Sequence, residues 1–255
     1  MTRVQPRPRP YSSELLRFLA SQGLADAAWD TGDVGQRLGD WLDFRQAIAL
    51  QAFIGSVDEG TARPVRATAR VDADVLRQRF AQVRSALERS ILTGSVPAPG
   101  LTRIEQPAIE LPHPIDARTA FDPFRRYCVG HQRQMDSVIR SLRAQLRGML
   151  DKGHLAHRQL AALDAMFDKV LSPRETRLLG QLPAEFEKRF AKALRAHLKQ
   201  LTQAAETDTP APLAAPWLMP LVEDLRTALL AELDLRLQPV LGLMEALAPN
   251  HTPQA

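Results

Sequence analysis

A chain of 255 residues, 45% apolar and 24% charged, is long and apolar enough to fold around a sizeable core, which excludes a wholly disordered polyelectrolyte. One cysteine excludes an intrachain disulfide, and no apolar run reaches the roughly 18–20 residues that cross a bilayer. The formal charge of +4 is unevenly spread: residues 118–158 hold nine basic and three acidic side chains, and residues 206–255 two basic and seven acidic. The simplest use of that asymmetry is internal, a basic helix beside an acidic one.

The opening MTRVQPRPRP is basic but has no apolar stretch behind it, so it does not read as a secretory signal, and the cytoplasm is the default compartment. Residues 1–11 read as a disordered Pro/Arg arm. Residues 12–94 form a smaller helical region. Ser12 or Ser13 can cap a short helix carrying Leu15, Leu16, Phe18 and Leu19, which Gly23 can end. Asp33 caps the next piece, with Val34, Leu38, Trp41 and Leu42 on one face. Phe44, Ile48, Ala52 and Phe53 continue it to Gly55, as one bent helix or two. Residues 56–70 read as a loop. Asp72 then opens a helix in which Leu76, Phe80, Val83, Leu87 and Ile91 recur at steps of four and three, with Gly94 as the stop. Residues 95–117 contain Pro97, Pro99, Pro107, Pro112 and Pro114 and almost no periodicity, which makes them a linker or a surface strap.

Residues 118–248 read as a bundle of long helices. Asp122-Pro123 starts one that runs to about Lys152, with Phe124, Cys128, His131, Met135, Val138, Leu142 and Met149 as a heptad-like seam. A second, from Leu155 to Leu171, turns Leu160, Leu163, Phe167 and Val170 inward. Ser172-Pro173-Arg174-Glu175 is a capping box that opens a third. It carries Leu179, Leu182, Phe186, Phe190, Leu194, Leu198 and Leu201, and Pro183 kinks or restarts it. Residues 206–216 link to the last stretch, Pro216 to Ala248. There Leu218, Val222, Leu225, Leu229, Leu233 and Leu237 form one stripe, widened by Leu221, Ala228, Leu230 and Leu235. A helix this apolar must be wrapped by others. Pro239 interrupts it before Val240, Leu243, Met244 and Leu247, and residues 249–255 are a disordered tail. The expected fold is all-α, a smaller N-terminal helical part and a long-helix antiparallel bundle joined by a Pro-rich strap.

Arg126, Arg133, Arg140 and Arg147 recur every seven residues on the 122–152 helix, with Arg125 and Arg143 beside them. If Cys128 and Met135 face the core, the four take the outermost heptad position and form a candidate interaction surface for an acidic protein or a phosphate backbone. Asp136 lies within reach of Arg133 and Arg140, so ordinary surface pairing competes. No aromatic residues interleave to stack on bases. His154 and His157 share a helical face, but Asp151 is the only local candidate for a further ligand, and a helix-terminal role suits them better. Cys128 and His131 sit one turn apart on the apolar seam, where a Cys–His nucleophile is geometrically allowed but has no oxyanion hole or orienting group nearby. No Walker A, HExxH or GxSxG motif occurs, and none of the GxGxxG kind follows a strand. The reading is a non-enzyme with no cofactor and no metal. The acidic residues Glu223, Asp224, Glu232, Asp234 and Glu245 of the last helix outnumber Arg226 and Arg236, which argues against docking on an anionic membrane.

Four stretches, VGQRLGDWLDFRQAIALQAFI (34–54), PFRRYCVGHQRQMDSVIRSLRAQLR (123–147), LAALDAMFDKVLSPRETRLLGQLPAEFEKRF (160–190) and LLAELDLRLQPVLGLMEAL (229–247), resemble a proteobacterial family of unknown function, number 3348. The resemblance spans most of the chain and implies no activity, cofactor or catalytic residue. It does imply relatives encoded beside membrane proteins that resemble motor-stator or peptidoglycan-binding components, and so a cytoplasmic accessory to a cell-envelope complex. The function expected is a helical interaction or scaffold protein that binds other proteins or itself. The alternative is a nucleic-acid-binding accessory using the arginine-lined helix and the arm residues Arg3, Arg7 and Arg9.

Overall fold

The computed structural model describes residues 14–21, 51, 67–94, 100–109, 111, 115–206 and 217–247. The Pro/Arg arm, the C-terminal tail and all but one residue of the 34–55 helical reading lie outside them. The protein is all-α, with no strand among the described residues. The helices are α1 (Glu14–Ser21), α2 (Ala67–Thr93), α3 (Asp122–Leu150), α4 (Leu155–Leu179), α5 (Leu182–Glu206) and α6 (Met219–Leu247).

Three helix boundaries differ from the sequence reading. The second helix begins at Ala67, five residues before Asp72, because nothing in 67–71 breaks a helix. The other two differences fall at prolines. α4 continues through Pro173 to Leu179, so the capping box at Ser172 does not open a helix. The break falls instead at Gly180, whose N–H bonds Thr176 O at 2.9 Å. Pro183 then sits in the first turn of α5, where a missing N–H costs nothing. α6 likewise runs unbroken through Pro239. An interior proline costs about 3 kcal/mol, but Leu237 and Val240 on either side of it are both buried and hold the helix in place.

The chain divides into two compact units, each assembled from separated stretches. One comprises residues 78–140 and 174–233. Its core gathers Leu87 and Ile91 of α2, Phe124 and Met135 of α3, Phe186 and Phe190 of α5, and Leu225, Leu229 and Leu233 of α6. Phe121, Phe124 and Phe190 meet with ring centroids 5.4–5.9 Å apart. The segment 100–109 belongs to this unit. Thr102 N–H donates to Gln134 Oε1, Ile104 lies against Gly130, and the Gln106 carboxamide bonds both Ile91 O and Arg226. The other unit comprises residues 1–77, 141–173 and 234–255, and buries Leu15, Leu142, Leu146, Leu150, Val170, Leu237, Val240 and Leu243.

All six residues of the predicted α6 stripe, from Leu218 to Leu237, are buried. In the α3 seam Phe124, Cys128, His131, Met135 and Leu142 are buried, while Val138 and Met149 are half-buried. Ile139 and Leu146 complete the seam: a straight α-helix drifts about 20° per heptad, so inward positions step by four after several turns.

Candidate functional site

Three groups of polar side chains stand out. The first is the arginine row of α3. Arg126, Arg133 and Arg140 are exposed, and Arg140 Nη2 donates to both carboxylate oxygens of Asp136 one turn back, at 2.7 and 2.8 Å. Arg126 and Arg133 carry no ion pair among the described residues. Arg147 is placed differently. Three heptads of drift turn it about 60° from Arg126, toward Arg143. There the two guanidiniums share Asp164 and Asp168 of α4, at 2.6–3.0 Å. Only 10–23% of each of these four side chains is exposed. Burial lowers the Arg147 pKa, but hydrogen bonds to Asp168 and Asp164 outweigh it and hold the group above its ordinary value. Arg143 and Arg147 therefore fasten α3 to α4.

The second group is interior. Tyr127, Cys128, His131 and Gln132 of α3 and Glu232 of α6 are all buried. Gln132 Nε2 donates to Glu232 Oε2 and to Leu179 O, both at 2.9 Å. Tyr127 O–H donates to Ile91 O, and the His131 ring meets the Tyr127 ring edge-on at 4.6 Å. Neither ring nitrogen of His131 has a hydrogen-bond partner among the described residues. Burial pushes its pKa down to about 4, so the ring is neutral at pH 7. Burial, and next the charge of Glu232, push the Cys128 thiol well above the ordinary range. Burial also lifts Tyr127 to about 12, against the opposing pull of Arg226. A Cys–His nucleophile needs the reverse, a lowered thiol pKa beside a bonded imidazole with substrate access. Sequence reasoning placed Cys128 and His131 on the seam but treated Glu232 as part of a polar face. Its position seven residues after Leu225 and three after Leu229 was the available signal that it lies on the buried stripe.

The third group was not singled out from the sequence. On α5, Lys188, Lys192, Arg195 and Lys199 are exposed at spacings of four, three and four, one helical face. They include three of the chain's five lysines. Lys188 pairs with Glu185 one turn back, and Lys192 and Lys199 have no ion pair among the described residues. The helix is anchored on its two flanks by Glu187 to Arg125 of α3 at 2.5 Å and by Arg189 to Asp224 of α6 at 3.1 Å. Interhelical pairing thus joins α3 to α4 and α5, as well as α5 to α6.

His154 and His157 stack with ring centroids 3.6 Å apart beside the turn at Gly153. The His157 pKa is lowered by burial and by His154, against a hydrogen bond to the Ala246 backbone. No group of three or more His, Cys, Asp or Glu side chains that could hold a metal occurs among the described residues. Nor is any described helix long and apolar enough to cross a membrane.

A family model described as "Protein of unknown function (DUF3348)" matches residues 1–249. The chain belongs to this family. The match covers all four stretches that carry the resemblance, and the three groups of polar side chains described here fall inside it. Comparison with curated proteins and with solved structures finds no match for this member of the family.

Proposed function

We propose that this protein is an interaction or scaffold component that binds other proteins through its helix surfaces. The observation that carries the reading is the partition of its polar groups. Cys128, His131 and Glu232 are fully buried, while Arg126, Arg133, Lys192 and Lys199 stand on the outside with no ion pair among the described residues. Desolvated groups inside a packed core serve structure, and exposed cations steer association. A cytoplasmic accessory to a cell-envelope complex is the setting the family resemblance suggests, so extracts that include the membrane fraction are the place to look for the partner. The test is recovery of bound proteins by the tagged chain from such an extract, with nuclease present, at low and moderate salt. The expected result is a small set of proteins that survives nuclease.

A nucleic-acid reading is favoured by the exposed Arg126, Arg133 and Arg140. Against it, the large apolar side chains exposed among the described residues are Val75, Leu92, Ile109, Leu178, Leu198 and Met219, none of them aromatic. Among the described residues, then, no exposed Phe, Tyr or Trp offers bases a platform to stack on. Recovery that disappears with nuclease would establish it in place of the protein-binding reading.

A further inference from the structure

We infer that the outward face of α5 is a docking site for an acidic amphipathic helix of a partner protein. The inference rests on the interaction reading and names its surface and the chemistry of its partner. At about 100° per residue, Lys188, Lys192, Arg195 and Lys199 lie within an arc of about 60°, and at 1.5 Å per residue they span about 16 Å. Ala191, Leu198 and Thr202 form the adjoining strip along the same helix, all exposed, with Leu198 38% accessible. A cationic row beside a small and apolar strip is the complement of a helix that carries carboxylates at i, i+4, i+7 and i+11 next to leucines. The two rows share one repeat, so Lys192 and Lys199 can each face one carboxylate, while Lys188 is already paired with Glu185 and Arg195 Nε donates to Ala191 O.

Two simpler accounts fit less well. Complementing the helix dipole calls for cations in the last turn only, whereas Lys188 and Lys192 stand well before the end of α5 at Glu206. A second copy of the chain would need a matching row of exposed carboxylates, and none occurs on the described helices.

The test uses the full chain and a fluorescein-labelled peptide with Glu at i, i+4, i+7 and i+11 beside a Leu row, read by fluorescence anisotropy. A scrambled peptide of the same composition and a labelled DNA duplex run alongside. The patterned peptide is expected to bind at least about ten-fold more tightly than the scrambled one, and K192E/K199E to lose that preference. Leu198→Ser should weaken the patterned peptide several-fold and leave the scrambled one alone. Equal binding of both peptides, or an unchanged K192E/K199E, overturns the assignment, as does a duplex that binds more tightly than either peptide. Unaltered helicity and melting of the variants show that the fold is not the cause. Partner recovery from extract separates this inference from the reading beneath it. If K192E/K199E still recovers the wild-type partners, the interaction reading stands and the α5 assignment falls. If the wild-type chain recovers none and binds no peptide, both fall.

Discussion

The neutral imidazole of His131 makes proton uptake and unfolding compete. In the unfolded chain the ring takes a proton near its ordinary value of about 6.5, whereas in the fold burial holds it at about 4. Between those values the unfolded state binds more protons, so stability is full above about pH 6.5 and is lost as the pH falls toward 4. The shift corresponds to about 3 kcal/mol over that window. Denaturant titrations at pH 7, 5.5 and 4 should show the wild type losing about that much more than His131→Met. Methionine fills the site without a titrating group, and at pH 7 it should match or exceed the wild type, because it removes two unbonded buried nitrogens. Parallel losses in both proteins would mean that His131 is not linked to unfolding. The same burial governs Cys128, whose thiol is pushed up by desolvation and by Glu232. Alkylation of the native protein at pH 7.5 should be at least about a hundred-fold slower than in denaturant, since the thiolate is the reacting form and the sulfur is covered. Fast native labelling would restore the Cys–His nucleophile as a serious reading.

At the scale of elements, stability depends on how helices are fastened and how they stop. The Arg143/Arg147–Asp164/Asp168 cluster lies between the exposed pairs, each worth about 0–1 kcal/mol, and fully buried ones, whose breakage costs about 3–5 kcal/mol. Asp164→Ala leaves two mostly buried guanidiniums sharing one carboxylate. It should cost about 2 kcal/mol in chemical denaturation, whereas Asp136→Ala, on the exposed pair with Arg140, should cost less than about 0.5 kcal/mol. Gly94 ends α2 at φ +60°, and a Cβ there would come within 2.9 Å of Gln106 Cγ, whose carboxamide is held by Ile91 O and Arg226. Gly100, at φ +90°, has open space around it. Gly94→Ala should therefore destabilise by more than Gly100→Ala, about 2 against about 1 kcal/mol by thermal melting, the difference measuring the clash with Gln106. These elements also mark what was legible in the chain. The α6 stripe and most of the α3 seam follow from periodicity alone, because burial on one face leaves a repeat that needs no knowledge of the neighbour. Helix ends at Pro173 and Pro239 were misread because a proline's local cost is about 3 kcal/mol and tertiary burial can offset it. Arg147 was grouped with Arg126 by a seven-residue count, whereas the 3.6-residue helix turns it toward α4. The α5 row is legible at its i, i+4, i+7 spacing, but charges at that spacing also mark any solvated helix face.

For the whole molecule, salt dependence separates the two kinds of partner proposed above. Each phosphate contact to duplex DNA contributes about −0.9 to the slope of log K against log salt. Arg126, Arg133 and Arg140 together would give about −2.7, and the four α5 cations about −3.6 more. A chain that used both faces on nucleic acid would lose affinity steeply between about 50 and 200 mM salt, and its R126Q/R133Q variant would have a slope shallower by about 1.8. A protein partner behaves otherwise. Peripheral ion pairs set the association rate, and packed contacts such as the one expected at Leu198 set the lifetime of the complex. Substituting Arg126 and Arg133 by glutamine should then slow association a few-fold at low salt, converge on the wild-type rate at high salt, and leave dissociation unchanged. Surface plasmon resonance with an immobilised partner recovered from extract measures both rates. An altered dissociation rate in R126Q/R133Q would move α3 from the edge of the interface to its centre. That outcome would also predict that Arg140, tied to Asp136 at 2.7 Å, exchanges its intrahelical pair for one with the partner.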